Sequence, residues 1–154
     1  MTTLPNVGEP APAFSLKNQD DQRVSLDDFG DRWLVLYFYP KDNTPGCTQE
    51  GKDFADVYDK FQSANTEIVG VSKDSIKKHS NFIEKYGFPF DLIADTEEEL
   101  CQALDVIKEK SMYGKKFMGI ERSTFIFDEQ GRLTHEFRKV KVKGHVEEVL
   151  KIVS

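Results

Sequence analysis

Residues 39–54 read YPKDNTPGCTQEGKDF, and this stretch joins two kinds of structure. Before it runs WLVLYFY (33–39), an unbroken apolar and aromatic segment that stops at Pro40. Its length and its flanks predict a strand buried on both faces. After it, from Pro45 to about Gln62, the pattern takes a helical period. Cys47, Gly51, Phe54, Tyr58 and Phe61 fall on one face, with Gln49, Lys52, Asp53, Asp56 and Lys60 mostly away from it. Thr44 suits the N-cap, Pro45 the first helical position, and Gly46 a close approach of backbone. Cys47 is then the third helical residue, where free N–H groups and the positive end of the helix dipole favour an anion. A cysteine so placed is either a small buried apolar residue or a thiolate that does chemistry.

The same alternation continues along the chain. AFSLKNQDDQRVSL (13–26) predicts two short strands about a polar turn, after a proline-rich lead-in with Pro5, Pro10 and Pro12. EIVGVS (67–72) is a strand and SIKKHSNFIEKY (75–86) an amphipathic helix ended by Gly87. FDLIAD (90–95) reads as a strand and TEEELCQALDVI (96–107) as a helix with acidic residues complementing the dipole in its first turn. KEKSMYGKK (108–116) reads as a solvated loop. RSTFIFD, EQG and RLTHEFR then form a hairpin, with alternation in its first strand, and a last helix covers about His145 to Ile152. This order predicts one α/β domain over 1–154, with a mixed central sheet flanked by helices, a thioredoxin-like core and an N-terminal hairpin extension.

Composition narrows the function classes. Twenty-one Lys and Arg against 27 Asp and Glu give a net charge of −6, which argues against nucleic acid or an anionic membrane surface as partner. No apolar run approaches the ~20 residues of a membrane span. The N-terminus shows no secretory pattern, and two cysteines make no disulfide scaffold, so a cytoplasmic location is expected. His79, His135 and His145 are far apart and share no zinc-like spacing with either cysteine. Arg122 stands at the head of an otherwise apolar strand, on the face of Thr124 and Ile126. There it needs a partner or a task, and an ordinary ion pair would also satisfy it.

Pro40, Thr44 and Cys47 make a Pro-x-x-x-Thr-x-x-Cys pattern, with Arg122 far downstream. This set, with its flanks YFYPKDNTPGCTQE and KEKSMYGKKFMGIERSTFIFD, resembles the peroxiredoxins, and among them the bacterioferritin comigratory protein, or Q-type, branch. The likeness runs over nearly the whole chain. It implies a thiol peroxidase of antioxidant defence that reduces hydrogen peroxide and organic hydroperoxides through a sulfenic acid on Cys47. Thr44 would bind the peroxide, Arg122 would hold the thiolate and the developing charge, and Pro40 would shield the sulfur. The resemblance implies no metal and no cofactor, a monomer, and thioredoxin as reductant.

The departure from the pattern concerns regeneration. Many members of the branch carry a resolving cysteine five residues after the first, where this chain has Lys52; others carry it in the next helix, and 75–86 has none. Cys101 is the one internal candidate, and a packed core cysteine is its plainer reading. A one-cysteine cycle is therefore expected, reset by an external thiol such as thioredoxin, glutaredoxin or glutathione. A thioredoxin-fold redox sensor that signals without turnover stands beside this reading. A thioredoxin-like disulfide reductase lacks its Cys-x-x-Cys here, and the motif fits glutathione peroxidases poorly.

Overall fold

A computed structural model describes residues 6–154, so Pro5 of the lead-in lies outside the described residues. In chain order the elements are β1 (Ser15–Lys17), β2 (Arg23–Ser25), β3 (Trp33–Phe38), α1 (Pro45–Asp56), α2 (Tyr58–Ser63), β4 (Thr66–Ser72), α3 (Ile76–Tyr86) and β5 (Asp91–Ala94). They continue with α4 (Glu99–Ala103), β6 (Ile107–Met112), β7 (Lys115–Ile120), β8 (Ser123–Phe127), β9 (Leu133–Phe137) and α5 (His145–Val153).

The central sheet has the order β5-β4-β3-β8-β9. β3 pairs parallel with β4 and antiparallel with β8, so the sheet is mixed and β3 is its middle strand. That position explains the unbroken apolar run, because a strand covered on both faces has no side to give to water. Alternate residues of β3 feed two cores. Leu36 and Phe38 join Val69, Val71, Phe125, Phe127 and the α4 residues Leu100 and Cys101 on one face. Val35 and Tyr37 join Ile68, Leu92 and Ile126 on the other, under Cys47, Phe54 and Phe61. The N-terminal hairpin forms as expected, with Ser15 opposite Ser25.

Four expectations need correction. The helix read through 45–62 is two helices, because Val57 leaves helical geometry at φ −118°, ψ 17°; the apolar face nevertheless continues across the break. The helix read over 96–107 shrinks to α4. Glu98 at φ 61° and Asp105 at φ 53° turn the chain left-handed on either side of it, and Ile107 already belongs to β6. The solvated loop at 108–116 lies within a second hairpin, β6–β7, whose turn residues Tyr113 and Gly114 both have positive φ, the requirement of a tight primed turn. Its polar residues on both strands hid the strand period. Finally, β8 begins one residue after Arg122 and is buried at every position, not alternately, since a core covers each face of the sheet there, Phe125 and Phe127 facing one and Ile126 the other.

Gly51 shows how closely α1 is packed. A Cβ there would lie 2.6 Å from the ring of Phe88, which is itself held by Phe82 at 4.9 Å and Phe90 at 5.6 Å between ring centroids. Gly51→Ala gains ~1 kcal/mol of helix propensity but overpacks a ring that cannot retreat, at ~1–3 kcal/mol. We expect a net loss of stability, read as a lower urea midpoint with an unchanged slope.

Candidate active site

The loop after β3 turns into α1 at Thr44, which is extended (φ −99°, ψ 155°), with Pro45 in the first turn. The first intrahelical bond is made by Thr48 N–H to the Thr44 carbonyl at 2.8 Å. The N–H groups of Gly46 and Cys47 come before it and point out of the helix start. Thr44 takes the N-cap position, but its side chain does not cap. Its hydroxyl donates back to the Lys41 carbonyl at 2.8 Å, which folds the loop on itself. Pro40 is half-buried in the same loop.

Cys47 is 2% exposed, on the α1 face that packs against the sheet. Arg122 reaches it from the segment before β8: its Nη2 donates to Cys47 Sγ at 3.3 Å. Its other arm, Nη1, donates to Glu50 Oε1 at 2.6 Å. Glu50 lies one turn after Cys47 and is fully buried, while the Arg122 side chain is 16% exposed. The guanidinium thus bridges thiol and carboxylate with its planar fork. Gly46 makes room for it, since a Cβ there would sit 3.1 Å from Arg122 Nη2. On the neighbouring β8, Thr124 Oγ1 lies 2.8 Å from His145 Nε2 at the start of α5.

The charges in this pocket are set mostly by burial. Burial pushes the Glu50 carboxyl up to about 7, against the pull of Arg122. Its second oxygen, Oε2, is buried without a hydrogen-bond partner. Burial also works against the Arg122 cation, yet Glu50 and Cys47 beside it keep its pKa above the ordinary arginine value. Burial, and then Arg122, lowers His145 to about 4, so that ring is neutral at pH 7. Lys110 on β6 is lowered by burial and next by repulsion from Arg122.

Cys47, Arg122 and the Thr44 loop are therefore brought together, and Cys101 is not. Cys101 is fully buried in the core on the opposite face of the sheet. Its backbone N–H donates to Asp95 Oδ2 at 2.7 Å, and burial, followed by the Asp95 charge, pushes its thiol well above the usual range. Both cysteines are free. Lys52 lies exposed, with Nζ 5.5 Å from the centre of the Tyr86 ring. Glu50 was not singled out from the sequence. Its signal was available in the i+3 spacing from Cys47, which sets a carboxylate on the apolar face of α1. Among the described residues no group of three His, Cys, Asp or Glu could hold a metal ion, and no helix is long and apolar enough to cross a membrane.

A mixed thioredoxin-like sheet with a helix-start cysteine held by a distant arginine defines a class, and comparison with known proteins agrees. Residues 7–136 match the AhpC/TSA family, and the chain belongs to that family: it is a peroxiredoxin. Its relatives place it in the Bcp, or PrxQ, branch. Peroxiredoxin Bcp of Bacillus subtilis is 51% identical over 144 residues, covering 94% of this chain and 92% of that protein. The bacterioferritin comigratory protein of Xanthomonas campestris, whose alkyl peroxide reduction activity has been studied in trapped intermediate and ligand complexes, superposes with a TM-score of 0.86. It is 48% identical over 91% of this chain and 89% of its own. A mutant of Xylella fastidiosa PrxQ gives 0.92 at 43% identity, covering 98% and 96%.

Proposed function

We propose that this peroxiredoxin reduces hydrogen peroxide and organic hydroperoxides with Cys47 as the attacking thiolate, in a one-cysteine cycle. The observation that carries the reading is the 3.3 Å contact from Arg122 to a cysteine sulfur at a helix start. The thiolate electron pair attacks the nearer peroxide oxygen and the O–O bond breaks. Cys47 is oxidised to the sulfenic acid, and the departing oxygen takes a proton to leave as water or an alcohol. Arg122 and the Gly46 and Cys47 N–H groups face the charge that develops on the two oxygens. The Thr44 hydroxyl, released from the Lys41 carbonyl, hydrogen-bonds the peroxide, and Pro40 limits access of water. The alkyl peroxide activity of the Xanthomonas relative supports the wider substrate range.

Regeneration falls to an external thiol, such as thioredoxin, glutaredoxin or glutathione. The thiol displaces water from the sulfenic sulfur, and a second thiol equivalent reduces the mixed disulfide. Supporting this are Lys52 at the position of a resolving thiol and Cys101 across the sheet from Cys47. A disulfide needs Cα atoms within ~7 Å, and the two cysteines pack into separate cores on opposite faces of the sheet.

One equivalent of hydrogen peroxide, mixed by stopped flow and followed by mass spectrometry, tests both parts. The expected product carries one added oxygen on Cys47, trappable by a sulfenic-acid reagent, with Cys101 still reduced, formed far faster than with a free thiol. A Cys47–Cys101 disulfide would overturn the one-cysteine cycle. Oxidation no faster than that of free cysteine would overturn the peroxidase reading. Cys101→Ala should leave turnover within about twofold of the parent chain.

A further inference from the structure

A second buried polar cluster lies on the active-site loop, away from the thiol. Asp42, between Pro40 and Thr44, is almost wholly enclosed. Its Oδ1 accepts from the Tyr39 hydroxyl at 2.6 Å, and its Oδ2 lies 2.7 Å from His79 Nδ1. Its backbone N–H donates to Asp74 Oδ2 at 2.8 Å, which also accepts from the Ser72 hydroxyl. His79 comes from α3 and is 0% exposed. Its other nitrogen, Nε2, is 2.9 Å from the Ile93 carbonyl on β5. The next loop residue is held by the same helix: Asn43 Oδ1 accepts from Lys85 Nζ at 3.3 Å and from the Tyr86 hydroxyl at 3.1 Å.

Three features separate this cluster from ordinary core packing. A carbonyl oxygen can only accept, so the ring donates at Nε2 to Ile93 and turns Nδ1 onto Asp42 Oδ2. Burying such a pair is costly, and it needs near-complete hydrogen bonding of the kind seen here. The pair also spans three elements, joining the loop to α3 and to the backbone of β5. What it holds still is a loop with a left-handed residue, Asn43 at φ 60°, whose ends carry Pro40 and the Thr44 hydroxyl.

We infer that His79, acting through Asp42, is a positioning residue for the peroxide reaction: it locks the 40–44 loop against α3 so that Pro40 and Thr44 stay in register with Cys47. This inference rests on the reading of Cys47 as the attacking thiol. His79 touches neither the sulfur nor its ion pair, so its effect passes through loop geometry alone. It also fixes α3 in place. Because α3 carries no cysteine here, nothing in the proposed cycle requires that helix to unwind, and a buried lock on it is compatible with turnover.

The test compares two reagents on one thiol. Peroxide needs the shaped loop, whereas iodoacetamide needs only an accessible thiolate. In His79→Phe, which keeps the bulk and removes both hydrogen bonds, the rate with hydrogen peroxide should fall ~10–100-fold, the scale of a small misplacement of reacting groups. The rate with iodoacetamide should stay within about threefold. Circular dichroism establishes that the variant is folded. If it is not, His79→Gln, which keeps one donor, reads the same ratio, with ~3–10-fold expected. A peroxide-to-iodoacetamide ratio within about twofold of the parent in the folded variant, including a parallel fall of both rates, would overturn the positioning role. A parent chain that reacts with peroxide only at the free-thiol rate sinks the reading of Cys47, and this inference with it.

Discussion

Arg122→Ala is expected to slow the reaction of Cys47 with hydrogen peroxide by ~10²–10³-fold, the scale for losing one preorganised charge donor, and Cys47→Ser to abolish it. The arginine has two tasks at once. Through Nη2 it holds the sulfur, and through Nη1 it neutralises a carboxylate that would otherwise stand one helical turn from the thiolate. Alanine removes both, leaving Glu50 fully buried without a counter-charge. Lysine should restore only a small part of the rate. A single ammonium cannot reach both partners with the fixed fork that a guanidinium supplies. The variant should also be less stable, because removing one member of a buried pair strands the other; protonation of Glu50 limits that loss at low pH. Stopped-flow rates with Arg122→Ala and Arg122→Lys decide the matter. A rate within about threefold of the parent for alanine would mean that the helix N-terminus suffices and that the 3.3 Å contact is incidental.

Which parts of this site could be read in the sequence follows from how local each signal is. The helix start at Thr44-Pro45-Gly46 is written in adjacent residues, so the position of Cys47 followed from it, and the family motif added Pro40, Thr44 and Arg122. The detail of the Thr44 side chain, which turns back to Lys41 instead of capping, was not legible. Glu50 was passed over because a glutamate in the second turn of a helix is ordinary by itself. Its burial is decided by Arg122, 72 positions away. His79 was not singled out either, although it lies three residues from both Ile76 and Phe82 on the apolar side of the amphipathic α3. Its partners arrive from a loop 37 residues earlier and a strand 14 residues later. The misread elements share a different cause. Glu98, Asp105 and Tyr113 all take positive φ, a conformation that non-glycine residues rarely signal, so the ends of α4 and the β6–β7 turn left little trace. Cys101 is the reverse case: its apolar neighbours were visible, but which face of the sheet it occupied depended on α4 packing against Phe125 and Phe127.

Glu50 gives the site a pH dependence whose sign can be worked out. Burial raises its carboxyl from 4.5 to about 7 in the folded chain, so the native state holds a proton that the unfolded chain releases near 4.5. The stability tied to that proton is fully present below about pH 4.5 and is lost as pH rises through 7. A displacement of this size corresponds to about 3 kcal/mol across the window. Glu50→Gln keeps the shape and an acceptor for Arg122 but cannot ionise. In a Cys47→Ser background, which removes the thiol, the chain that retains Glu50 should therefore lose more stability between about pH 5 and pH 8 than the Glu50→Gln variant, measured by urea midpoints at each pH. The reactive thiol should report the same group. Above about pH 7 an ionised Glu50 competes with Cys47 for the guanidinium charge; below it, the neutral carboxyl leaves that charge to the sulfur. The rate of peroxide reaction should then show an inflection near 7 in the parent that Glu50→Gln lacks. Identical pH profiles for the two chains, in stability and in rate, would mean that Glu50 keeps one protonation state throughout and serves only to hold Arg122 in place.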